Sequence, residues 1–244
     1  ENYSDFGNTF TSKLGSRYEI SPNIAVRGSY STGFKAPTPG QLNATSTSQG
    51  LDTVTLQVFT NGRLSPLNPV AQFFGAKPLQ PEESQTASFG GVWQTDFGFS
   101  GSVDVYKIDV TKRFASSPTF TVTPAVRNQL IASGVPGAST FTAVNFFTND
   151  FNTMTRGIDL VGSYATDMGD GRLRLTGAYS YISTKVTSGS LITAANATQK
   201  KIFEQGVPQH NASATATYDI DAFSLMGRVR YYGPWTDSTG NTTG

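Results

Sequence analysis

From Ile24 the chain alternates for ten positions: Ile24, Val26, Gly28, Tyr30 and Thr32 share one side, and Ala25, Arg27, Ser29 and Ser31 share the other. A period of two is that of a β-strand. Phe34-Lys35-Ala36-Pro37 and Pro39-Gly40 then stop it and open a loop. One face is polar and carries an arginine, while the other mixes aromatic, aliphatic and glycine residues. The same pairing recurs along the chain. Phe10, Ser12, Leu14, Ser16, Tyr18 and Ile20 alternate with Lys13, Gly15, Arg17 and Glu19. Between Glu83 and Gln94, Ala87, Phe89, Gly91 and Trp93 share a face. Leu173, Leu175, Gly177, Tyr179 and Tyr181 alternate with Arg172, Arg174, Thr176, Ala178 and Ser180. Ala212, Ala214, Ala216 and Tyr218 alternate with Asn211, Ser213, Thr215 and Thr217, and Phe223, Leu225, Gly227, Val229 and Tyr231 with Ser224, Met226, Arg228 and Arg230.

Two strands are less regular. In Phe99 to Phe114, Phe99, Val103 and Val105 have one parity and Tyr106, Ile108 and Val110 the other, which predicts a β-bulge near Val105. A long strand is expected over Val144 to Ala165, with Ile158, Leu160, Gly162 and Tyr164 opposite Gly157, Asp159 and Ser163. About eight strands result, joined by connections that run short, long, short, long, short, long, short. The short ones are Ser21-Pro22-Asn23, Asp96-Phe97-Gly98, Asp167 to Gly171 and Asp219-Ile220-Asp221. The first long one, Phe34 to about Gln80, exceeds the roughly 15 residues that compact soluble domains tolerate without structure. In the second, from Ala115 to about Thr142, one helix is expected, with Thr123 as cap, Pro124 in first position and Gly134 as stop. The third runs from about Ser188 to Val207. The expected fold is therefore all-β: part of an antiparallel transmembrane β-barrel, with tight periplasmic turns, long extracellular loops and a polar inner face. Tyr and Trp near strand ends would sit among lipid headgroups. A soluble β-sandwich is the architectural alternative.

Composition fits a wet-walled barrel. Apolar residues make up 37% and charged residues 14% of 244, with 25 Gly and 17 Phe. The charge is too sparse for an ordinary soluble surface. No apolar run is long enough for a transmembrane helix. Net charge is +1, so no nucleic-acid partner is indicated. Cysteine is absent, which removes disulfides and thiolate metal sites. The start at Glu1-Asn2-Tyr3, without Met or signal peptide, and the polar end at Asp237 to Gly244 are expected of a piece of a longer protein.

The run S-Y-S-T-G-F-K-A-P-T-P-G-Q-L (Ser29 to Leu42) resembles a segment of the barrels of TonB-dependent outer-membrane receptors. Val103 to Phe114 (V-D-V-Y-K-I-D-V-T-K-R-F) and Asn145 to Leu160 (N-F-F-T-N-D-F-N-T-M-T-R-G-I-D-L) are similar to further stretches of that family. The resemblance covers most of the chain and implies that residues 1–244 are part of a barrel of 22 strands in the outer membrane of a Gram-negative bacterium. The plug domain and the C-terminal strands would lie outside it. The resemblance also implies a mechanism. Extracellular loops capture a scarce small molecule, most often an iron chelate, and import is powered by the TonB complex acting on the plug. Cobalamin and oligosaccharides are the other cargoes it allows. A passive porin has the same strand pattern, and a barrel enzyme or adhesin is a further alternative.

Catalytic chemistry finds no footing in the sequence. His210 is the single histidine, with neither a nucleophile in a G-x-S-x-G setting nor a second metal ligand beside it. Glu82 and Glu83 are neighbours on a strand and face opposite ways. Gly90-Gly91 and Gly169-Asp170-Gly171 precede no helix, so neither is a phosphate loop. Triplets at Asn43, Asn196, Asn211 and Asn241 match the glycosylation pattern by chance. The ligand candidates are loop residues that should face outside: Phe59, Arg63, Phe73, Phe74, Phe120, Arg127 and Phe141. Loop packing is the competing role for each. Lys13, Arg17, Arg27, Arg172, Arg174, Arg228 and Arg230 should face the lumen, either as an anion-attracting wall or paired with carboxylates such as Glu19 and Asp159. No cofactor or bound metal is expected.

Overall fold

A computed structural model describes residues 2–3, 7–51, 56–137, 139–189, 197–237 and 241–243. Glu1, Asn196 and the polar stretch 238–240, all considered above, lie outside the described residues. Eight long strands form the wall: β1 (Lys13–Ser21), β2 (Ile24–Lys35), β3 (Glu82–Gln94), β4 (Phe99–Ser116), β5 (Ala143–Met168), β6 (Gly171–Ser188), β7 (His210–Ile220) and β8 (Phe223–Tyr232). Each pairs antiparallel with the next, so order in the sheet equals order in the chain. The sheet does not close; β1 and β8 are its edges. All the short connections lie at one end and all the long ones at the other. The long fifth strand extends past both expected limits. Among the described residues no helix is long and apolar enough to cross a membrane.

The registers keep the two faces separate across the whole wall. Tyr18, Val26, Gly91, Val103, Leu160, Tyr179, Ala212 and Tyr231 form one continuous row on the outer face. Such a surface costs free energy in water and is at home against lipid. Phe89, Val105, Ile158, Leu160 and Val229 are all exposed on it.

The bulge expected near Val105 is absent. Pairing of β3 with β4 runs unbroken from Gln94–Ser100 to Glu83–Thr111. The change in hydrophobic parity has another cause: beyond Val105 the outward positions are Lys107 and Asp109, where the strand leaves the apolar band. The eight steps from Phe99 to Lys107 rise about 26 Å along the strand, or about 20 Å at a tilt of roughly 40°, most of the height of a barrel's apolar band. The register breaks higher up, opposite Lys112, between Asn149 and Phe151 and between Phe151 and Thr153 of β5. Lys112 has φ +58°, a left-handed conformation that takes its peptide groups out of the ladder. Two asparagines of β5 replace the lost partners. Lys112 N–H donates to Asn152 Oδ1 (2.9 Å), and Asn149 Nδ2 donates to the Lys112 carbonyl (2.6 Å). Asn149 also exchanges two 2.8 Å hydrogen bonds with the backbone of Gln80.

Above this rim the long connections are structured. The first holds helix α1 (Pro39–Asn43), a hairpin of 46–51 with 58–64, and helix α2 (Pro69–Phe73). The second holds a short strand at 120–121 and the expected helix, α3 (Pro124–Ala132). Thr123 caps α3 through Val126 N–H, and Gly134 follows it at φ +68°. The upper part of β5 is their common spine. Residues 143–146 pair in parallel with 61–64, and 143–144 antiparallel with 120–121. Leu64, Val70, Ala71, Val122, Leu130, Phe141, Val144 and Phe146 are buried together. Helix α4 (Ala197–Gln205) lies in the third connection and sets Phe203 against Phe151 at 4.7 Å between ring centroids.

Replacing Asn149 by alanine strands the Gln80 and Lys112 backbone groups. The expected cost is about 1–3 kcal/mol, with accelerated amide exchange around Gln80 and Lys112. Leu130→Ala should cost about 2–5 kcal/mol and speed exchange in 58–76 and 120–146 while leaving β2–β4 unchanged. Exchange mass spectrometry on the full-length protein measures both.

Candidate functional site

Two surfaces carry chemistry: the inner face of the wall and the outer cap. On the inner face a single lateral row crosses all eight strands: Arg17, Arg27, Gly90, Asp104, Asp159, Ser180, Asn211 and Tyr232. Arg27 and Asp104 are two strands apart, yet they form a two-point ion pair, with Nε to Oδ1 at 2.9 Å. Gly90 lies between them, and a Cβ there would collide with the Asp104 carboxylate. The glycine therefore opens the path across the sheet. A second glycine works the same way at Gly157, where a Cβ would strike the Tyr106 ring lying across it.

By register Lys13, Arg17, Arg27, Arg172, Arg174, Arg228 and Arg230 share one face with this row, and their neighbours differ from one to the next. Arg17 meets Glu19 at 3.3 Å, as anticipated. Among the described residues Asp159 meets no arginine and instead accepts the Ser180 hydroxyl (2.6 Å). Arg228 donates Nε to Thr215 Oγ1 (3.0 Å). Arg172 stands opposite Asp167 and Asp219 in register, Arg174 opposite Ala165 and Thr217, Arg230 opposite Ser213, and Lys13 opposite Ser31. A concavity of about 350 Å³ lies on this face near the tight turns, lined by Arg17, Glu19, Asn23, Ser100 and Ser163. Wall strands and one turn bound it, so it belongs to the lumen.

The cap sorts the loop candidates. Phe141 is buried and lies over Gly62. Phe120 is stacked between Phe74 (5.1 Å) and Phe146 (5.7 Å), and Phe73 meets Phe74 edge-on at 5.4 Å. Phe59 lies over Gly50 within the hairpin. Arg127 donates Nη2 to the Phe141 carbonyl (3.3 Å). These six side chains thus hold the cap together, and of them Phe73 keeps an exposed face. Arg63 differs. It is exposed, its guanidinium lies 5.5 Å from the Phe147 ring, and it lines a polar concavity of about 280 Å³. Ser46, Ser48, Asn61, Thr119 and Asn145 are its other chief polar lining residues. Composition alone gives no pointer to these five: the parallel pairing of 61–64 with 143–146 brings Asn61 and Asn145 together, and the antiparallel hairpin adds Ser46 and Ser48.

Three sequence stretches singled out above meet at the rim. Lys35 lies over the Phe114 ring (5.7 Å) and reaches the buried carboxylate of Glu82 (3.9 Å), whose Oε1 accepts Phe114 N–H (2.9 Å). Arg113 donates to Thr153 Oγ1 (3.1 Å) and stands against the Phe151 and Phe203 rings at 5.5 and 5.1 Å. His210 opens β7 on the outer face, where its Nδ1 shares a 2.8 Å hydrogen bond with Tyr179 Oη. Among the described residues no group of three or more His, Cys, Asp or Glu side chains could hold a metal ion.

A meandering wall with a polar inner face, an apolar outer face and a structured cap at one end defines a segment of a transmembrane β-barrel of the receptor type. The chain belongs to the TonB dependent receptor-like, beta-barrel family, whose model matches residues 1–244. No curated protein matches it in sequence. Among solved structures it is similar to the siderophore receptor PirA from Acinetobacter baumannii, at 17% identity and TM-score 0.59, over 95% of this chain and 30% of that one. It is also similar to a mutant ferric enterobactin receptor (PfeA) from Pseudomonas aeruginosa in complex with enterobactin, at 15% identity and TM-score 0.63, over 99% and 31%. A third is the outer-membrane ferripyoverdine receptor of Pseudomonas aeruginosa bound to ferripyoverdine, at 16% identity and TM-score 0.53, over 94% and 23%. The chain thus spans about a third or less of these receptors.

The Arg27–Asp104 pair should couple by about 1 kcal/mol in an R27A/D104A double-mutant cycle on thermal unfolding of the full-length barrel. The coupling should shrink as salt is added. Gly90→Val, which displaces the carboxylate, should abolish it.

Proposed function

We propose that this chain is part of an outer-membrane receptor that binds a ferric siderophore at its extracellular cap. The bound chelate is imported through a plugged barrel with energy delivered by TonB. The observation that carries this reading is the polar concavity on the cap. It presents one guanidinium, two amides and several hydroxyls from a scaffold whose aromatic residues are occupied in packing. An oxygen-rich, anionic metal chelate suits that set: Arg63 supplies charge and a fork of donors, and Asn61 and Asn145 donate from either side. At about 280 Å³ the concavity holds part of such a chelate, leaving the rest for the mouth of the complete barrel. Family membership supports the gated-barrel mechanism, and the ligands named for two of the similar structures are siderophores.

Calorimetry on the full-length protein in detergent, against ferric siderophores, cobalamin and oligosaccharides, tests the cargo. Saturable binding of a ferric siderophore is expected. Arg63→Ala should weaken it about tenfold or more, the loss of one charge-assisted hydrogen bond. Shortening residues 46–64 should abolish it. Binding of another class would reassign the cargo, and no binding together with ion conductance in planar bilayers would make this a passive channel. Uptake that continues in cells lacking TonB would refute the energy coupling.

A further inference from the structure

We infer that the outer face of β4, β5 and β6 carries a binding site for phosphorylated lipid headgroups at the extracellular boundary of the membrane. The site consists of Lys107, Arg156 and Lys185. It rests on the reading of the wall as membrane-spanning, with its long connections outside.

The registers bring these residues together. Lys107 and Arg156 are direct cross-strand partners on the outer face, and Lys185 is paired with Met154, one outward position above Arg156. Like charges placed directly opposite destabilise a sheet. Asp109 relieves part of this repulsion by holding Lys107 Nζ at 2.6 Å. Arg156 and Lys185 are exposed and have no hydrogen-bond or ion-pair partner among the described residues. One of the three cations therefore has a carboxylate partner, and the other two have none among the described residues.

Position specifies the counter-ion. The outward row immediately below is apolar and aromatic, with Phe89, Val105, Ile158 and Tyr181 side by side. Tyr30 stands in the same row as Lys107 and Arg156, two strands away from Lys107 through Ala87. Tyrosine at that height marks the headgroup layer. The clustered cations thus sit at the height of lipid phosphates, and their side chains are long enough to reach upward from the apolar band. Arg156 offers a fork to two phosphate oxygens while Lys107 and Lys185 add point charges on either side. The wall would then hold its boundary lipid by charge on this sector, whereas the exposed outer face of β8 contacts lipid through Phe223, Leu225, Val229 and Tyr231.

The test is native mass spectrometry of the full-length protein, delipidated in detergent and exposed to mixed micelles of bisphosphorylated lipid A, dephosphorylated lipid A, or phosphatidylcholine. The wild type should retain the bisphosphorylated lipid preferentially. Each of K107S, R156S and K185S should weaken retention about fivefold, the effect of one cation near an anionic surface, and R156E more. Millimolar inorganic phosphate should not displace the lipid; if it does, the site is one for free phosphate and the inference fails. Equal retention of phosphorylated and dephosphorylated lipid, or unchanged retention in the triple serine variant, also overturns it. A nitroxide at Val105→Cys separates the two readings. Accessibility to oxygen but not to a water-soluble nickel chelate confirms the lipid-facing wall independently, whereas the reverse removes both.

Discussion

Inside a bilayer every peptide N–H and C=O needs a partner within the protein, because no water is there to supply one. The eight-stranded meander satisfies that demand by pairing each strand with the next in unbroken register through the apolar band. Continuous pairing then fixes side-chain parity, so that one choice of face at Ile24 commits the outward positions as far as Val229. Irregularity is pushed to where water can return. The left-handed Lys112 and both breaks in the β4–β5 ladder lie above the level at which Lys107 and Asp109 replace apolar residues.

The rim is more than the place where pairing is allowed to fail. Asn149 and Asn152 bind the peptide groups freed at Lys112, Glu82 caps Phe114 N–H, and Lys35 covers the Phe114 ring. Four chain segments far apart in sequence are thereby fastened at one height. The wall's own side chains face lipid on one side and lumen on the other, so the wall has little interior of its own. The larger buried apolar cluster lies instead in the cap, built on the upper part of β5. A rigid cap needs that division: the wall supplies direction and the rim supplies attachment.

The strands were legible because alternation is a local property, and their pairing followed from turn length. Helix α3 was legible for the same reason, since Thr123, Pro124 and Gly134 act within one turn of their own peptide groups. The misplaced bulge shows where local reading ends. The parity change at Tyr106 reflects the edge of the membrane, a property of height that residue order does not encode. The ion-pair partner of Arg27 lies two strands away across Gly90, and the lining of the cap concavity depends on a parallel contact between 61–64 and 143–146. Neither follows from spacing along the chain.

The aromatic residues carry the same lesson about function. Phe74, Phe120 and Phe141 were attractive as ligand contacts because they lie in outer loops, but outer loops of this length must first bury something to keep a shape. With no disulfide available, the stack Phe73–Phe74–Phe120–Phe146 and the Phe141 ring over Gly62 provide that interior. What remains for recognition is the polar residue that packing leaves exposed beside them. Arg63 is held at the edge of the cap by Phe147 and by the hairpin it belongs to, with its charge turned to solvent. On the proposed function, such a scaffold would recognise by charge and hydrogen-bond geometry and would lose little ordering entropy when a ligand arrives.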